Sequence, residues 1–124
     1  MVSQQFLKCS AVLLFFAALP AIAEDVRWEL VDTGVLKHST HGTGIEMRIK
    51  PDPMPEGLFD MPGLPELMSV LCDHYAPSVI PFVTSKTELE MPEFIAVRVI
   101  SGGVFGRYAL TTYAISDNEC GDEL

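Results

Sequence analysis

The chain has 124 residues, with 17 acidic against 8 basic side chains and a formal charge of −9. That length suits one domain and is short for two. An acidic surface repels polyanions and has few basic groups to release counterions, which excludes nucleic acid as the expected partner.

Met1 to Lys8 is a short polar opening with one positive charge, Cys9 to Leu19 is apolar apart from Ser10, and Pro20-Ala21-Ile22-Ala23 follows. This order is that of a secretory signal peptide, residues 1–23, cut between Ala23 and Glu24. The apolar run of 11 residues reaches only about half of a ~30 Å hydrocarbon core, so no stable membrane anchor is expected after cleavage. The remaining domain, residues 24–124, carries 7 basic and 17 acidic side chains, a net charge of −10. The periplasm is the expected location, with the extracellular medium and the endoplasmic-reticulum lumen as alternatives. The terminal Gly121-Asp122-Glu123-Leu124 is similar to a lumenal retention signal, with glycine where lysine or histidine is usual.

Export leaves two cysteines, Cys72 and Cys120, in an oxidising compartment, where one intramolecular disulfide is expected. The loop closed has a span of 48 residues, for which chain entropy gives about 4 kcal/mol. Thiol chemistry is not expected, since there is no Cys-x-x-Cys pair and no cationic sequence neighbourhood to activate a thiolate.

From Val26 the residues alternate, with Val26, Trp28 and Leu30 on one side and Arg27, Glu29 and Val31 on the other, which predicts a half-buried strand. A second alternating run holds Ile45, Met47 and Ile49 between Glu46, Arg48 and Lys50. The two polar faces offer opposite charges to one another across an N-terminal hairpin. The intervening Asp32 to Thr43 reads as a long polar loop. Pro51 to Pro65 contains five prolines and two glycines, so it is a connector, with Met54, Leu58, Phe59 and Met61 expected to pack over the core edge.

The spacing predicts a helix over Leu64 to Tyr75. Leu64, Leu67, Met68, Leu71, Cys72 and Tyr75 fall at offsets 0, 3, 4, 7, 8 and 11 and share one stripe that turns Cys72 inward. Pro65 suits the first turn, and Glu66 the positive end of the macrodipole. Pro77 and Pro81 are expected to end or kink the helix, with Val79 to Val83 as a short second piece. After a polar link from Thr84 to Pro92, Phe94 to Ile100 is apolar on both faces except at Arg98 and predicts an interior strand. Gly102-Gly103 suits a tight turn into a partner strand over Val104 to Ile115, with a bulge at Gly106. The acidic tail from Ser116 to Leu124 would fray unless Cys120 pins it. The resulting fold class is α+β: a small antiparallel sheet of N-terminal and C-terminal hairpins, covered by one helix and stapled by one disulfide.

His38 and His41 sit in the polar loop as His-x-x-His and are candidate metal ligands. His74 falls on the flank of the helical stripe, where a half-buried histidine is the ordinary outcome. Soft thioethers beside imidazoles suit Cu(I), which makes a periplasmic copper-binding protein one alternative, although Met47 and Met68 already belong to core faces. No Gly-x-Ser-x-Gly, His-Glu-x-x-His, P-loop or EF-hand pattern occurs, so no catalytic residues and no cofactor are assigned. An uncharacterised hydrolase remains the enzymatic alternative. The main expectation is a non-catalytic binding protein whose partner is another protein or a small ligand.

Leu71-Cys72, Ala76-Pro77, the run Phe94 to Ile100, Phe105-Gly106 and Cys120 with Glu123 resemble the spacing in short exported bacterial proteins of unknown function. The resemblance implies export and a two-cysteine framework, and supplies no active site.

Overall fold

The computed structural model describes residues 26–89, 91–103 and 106–124. The expected signal peptide and its junction at Ala23 and Glu24 lie outside the described residues. Five strands form one sheet in the order β1-β2-β3-β4-β5: β1 (Arg27–His38), β2 (Gly42–Asp52), β3 (Phe94–Ile100), β4 (Tyr108–Ser116) and β5 (Glu119–Glu123). One helix, α1 (Leu64–Thr87), connects β2 to β3. Neighbouring strands are antiparallel except β2 and β3, which are parallel. A parallel pair cannot be closed by a tight turn and needs a crossover, which α1 supplies. The α+β arrangement of two hairpins under one helix is thus present, and the hairpins meet along the parallel pair.

The N-terminal hairpin is longer than its sequence pattern. Pairing runs from Arg27↔Asp52 to His38↔Gly42, leaving only Ser39 to His41 as the turn, where a loop from Asp32 to Thr43 was expected. The cause is a register shift between Leu30 and Asp32. An extra residue there moves the alternation by one, so Thr33 and Val35 fall on the same face as Trp28 and Leu30, with Val35 left exposed.

The helix also runs on, through Pro77 and Pro81 to Thr87, as 24 residues. Each proline removes one backbone donor, which frees the carbonyls of Asp73 and Pro77. Asp73, Pro77 and Pro81 are all exposed, so the freed carbonyls lie on the solvent side. On the opposite side Ala76, Val79, Ile80 and Val83 are buried and extend the stripe. This stripe packs on Ile45, Met47, Ile49, Ile95, Val97 and Val99 to form the core.

In the connector, Leu58 is buried within a single 3-10 turn (Leu58–Asp60), and Phe59 and Met61 pack against the core. Met54 is exposed instead. The C-terminal hairpin departs from expectation in two ways. Strand β4 begins at Tyr108, so Gly106 lies in the connection from β3, whose Gly102 and Gly103 both have φ 83°, and is not a strand bulge. The tail is pinned through Cys120 as expected and, beyond that, forms β5, because Asp117 (φ 54°) and Asn118 (φ 62°) make a two-residue turn with both positions left-handed. Cys120 of β5 is bonded to the fully buried Cys72 of α1, with Cα atoms 6.1 Å apart.

Candidate functional site

The face of the sheet turned away from α1 carries a charge ladder. Arg27 meets Asp52 at 3.4 Å, Glu29 is in register with Lys50, and Arg48 reaches Asp32 at 3.7 Å. Glu46, nearly buried, accepts from Arg48 Nε at 3.1 Å and from Arg98 Nε at 2.9 Å, and the Arg98 guanidinium lies 4.4 Å from the centre of the Tyr108 ring. Four acids and four bases balance on this face. Among the remaining described residues acids outnumber bases ten to three, so the excess negative charge lies elsewhere.

Much of it gathers near β5. Burial and then the Glu119 carboxylate raise the Asp73 carboxyl above the ordinary range. The Tyr113 hydroxyl is pushed up to about 12 by burial, with Glu123 and Asp73 adding negative charge.

On the helix side, the N-terminal half of α1 is fixed to β5 by the disulfide, and the Tyr75 hydroxyl donates to the Trp28 carbonyl at 2.9 Å. The C-terminal half runs beside β1, and between them lies a groove of about 690 Å³. Leu30, Val31 and Thr33 line one side, and Val79, Phe82 and Val83 the other. Lys86 stands at the rim with Nζ 5.2 Å from the centre of the Phe82 ring. Val31 is 52% and Phe82 53% exposed. The groove is open to solvent and lined mainly by apolar side chains. Strand β1 pairs only with β2 among the described residues, so the groove runs beside a free strand edge. Nothing in the sequence pattern marks it, because it depends on strand order and on α1 surviving its prolines.

The two candidate histidines do come together. Their rings stack with centroids 4.5 Å apart, and each meets the Phe94 ring edge-on at 6.2 Å. His38 Nδ1 accepts the backbone N–H groups of Thr40 at 3.0 Å and His41 at 3.3 Å, which shapes the turn and occupies that nitrogen. Gly44 lies beneath, where a Cβ would strike the Phe94 ring and carbonyl. Phe94 is fully buried, so this cluster closes the end of the first hairpin. Among the described residues no three or more His, Cys, Asp or Glu side chains gather as a metal site. His74 is exposed and stands edge-on to Tyr75 at 4.8 Å, not half-buried as its place on the stripe suggested. Met47 and Met68 are core residues, whereas Met91 is 82% exposed. Compared with profiles of protein families, with curated proteins and with solved structures, the chain matches none.

Proposed function

We propose that the protein is an exported, non-catalytic binding domain that holds its ligand in the groove between β1 and α1. The observation that carries this reading is the groove itself. A small domain that leaves Val31 and Phe82 half in water beside a free strand edge bears an unfavourable surface unless something covers it. The disulfide is compatible with an oxidising compartment and supports export, with the periplasm as the proposed location.

The test maps the amide spectrum of the purified chain while a library of small molecules and short peptides is added. Ligands should shift residues Leu30 to Gly34 together with Ser78 to Thr87, and Ser78→Trp, which fills the groove from an exposed position, should abolish those shifts. Ligands that instead collect on the charge ladder, or none at all, would discard this reading. Export is tested separately by the mass of chain recovered from the periplasm. It should begin at Glu24 and be about 2 Da lighter than after reduction.

A further inference from the structure

The groove has one wall that offers hydrogen bonds and one that does not. Among the described residues, strand β1 pairs along one edge and turns the other outward, while α1 supplies only side chains at Val79, Phe82 and Val83. An added strand satisfies such an edge through its backbone and sends alternate side chains beneath the helix.

The faces of β1 specify what those side chains are. Leu30 and Thr33 point toward the helix side, so the residues of an added strand beside them enter apolar surroundings. Glu29 and Asp32 point to the opposite face, in register with Lys50 and Arg48 of β2. Added residues on that face stand beside two carboxylates on the side away from those cations. Opposite charges in adjacent strands favour pairing and like charges oppose it. The net charge of −10 on residues 24–124 also repels a second copy of this chain.

From this we infer that the groove receives an extended peptide segment of alternating apolar and basic residues, added antiparallel or parallel to the free edge of β1. The inference rests on the groove as a binding site and names the class of partner. Apolar positions occupy the space under Phe82, and basic positions lie over Glu29 and Asp32.

The probe is a fluorescein-labelled, N-acetylated heptapeptide, Lys-Val-Lys-Ile-Arg-Val-Lys, followed by anisotropy and amide mapping with the purified chain. It should bind in the micromolar range and shift residues on both walls. A version with proline in place of the central isoleucine should bind at least about tenfold more weakly, since it lacks a ladder donor. Glu29→Lys with Asp32→Lys should weaken the basic peptide by about tenfold and favour a glutamate counterpart, a reversal of preference. Equal binding of the proline version, or no reversal, would reduce the effect to bulk charge attraction and overturn the inference. Small molecules that occupy the groove while every peptide fails would overturn it and leave the binding reading intact. Peptide binding that survives Ser78→Trp and shifts residues elsewhere would remove the groove from both. Sedimentation showing a dimer that Ser78→Trp dissolves would assign the edge to a second copy, against the inference.

Discussion

The two edges of the sheet are finished differently. At one, β5 is short, carries a left-handed two-residue turn and is covalently tied to α1 through Cys120 and Cys72. At the other, β1 is 12 residues long, is held by ordinary pairing to β2, and keeps an open groove under the helix. Exposed edges invite unwanted pairing, and a bulge is one of the devices that blunt them. The irregularity at Leu30/Asp32 and the overhanging helix restrict what can join β1 without closing it. The difference teaches that a small domain can place a covalent constraint at one edge and leave the opposite edge to backbone pairing and an overhanging helix.

The largest test of this contrast is removal of the staple. Cys72→Ala with Cys120→Ala should cost about 4 kcal/mol for a loop of this size, read from the urea midpoint at fixed m-value. Hydrogen exchange should then show β5 losing more protection than β1, beyond the drop that global destabilisation gives both. Equal loss at both edges would show that the disulfide holds the whole sheet, and the contrast would fall.

A second test concerns the ionic clasp near the open edge. Glu46 joins β2 to β3 by accepting from Arg98 and also accepts from Arg48 of its own strand, and removal by Glu46→Ala leaves the partly buried Arg98 without its carboxylate. A buried polar partner left unsatisfied costs about 1–3 kcal/mol, so the urea midpoint should fall by less than on loss of the staple. Here exchange should quicken at the β2–β3 pairing with β5 protected. A change within 0.5 kcal/mol would mean that water replaces the carboxylate freely and that pairing alone holds this side.

Much of the stapled side was legible in the sequence, and little of the open side was. The inward direction of Cys72 follows from its place in a stripe with Leu64, Leu67, Met68 and Leu71, and β3 follows from its β-branched, two-sided apolar run. Strand β5 was missed although Asp117-Asn118 is a recognisable turn pair, because its acidic composition reads as solvent-exposed tail. On the open side, each departure is a local rule overridden by tertiary packing. The bulge at Leu30/Asp32 breaks the period of two, and the cost of Pro77 and Pro81 to the helix is offset by the buried Ala76, Val79, Ile80 and Val83 and by water at the freed carbonyls. Together these keep α1 continuous, and that continuity builds the far wall of the groove.

The smallest effect is expected at the stapled edge, from the acids it brings together. The Asp73 carboxyl, beside Cys72 in α1, is raised by burial and then by Glu119 of β5. The folded chain therefore binds this proton more tightly than the unfolded chain. Its contribution to stability is fully present below the ordinary carboxyl range and is lost as pH rises through the raised value. At neutral pH the ionised Asp73 opposes the staple, so Asp73→Asn should stabilise the protein there. Because the side chain is exposed, water screens the repulsion and the gain should stay under about 0.5 kcal/mol. Thermal melts at pH 7 should show a small rise over the parent chain, shrinking with added salt and vanishing near pH 3. A gain that persists at pH 3 would assign the effect to the helix position alone, and a loss at pH 7 would mean that the Asp73 carboxylate supports this edge.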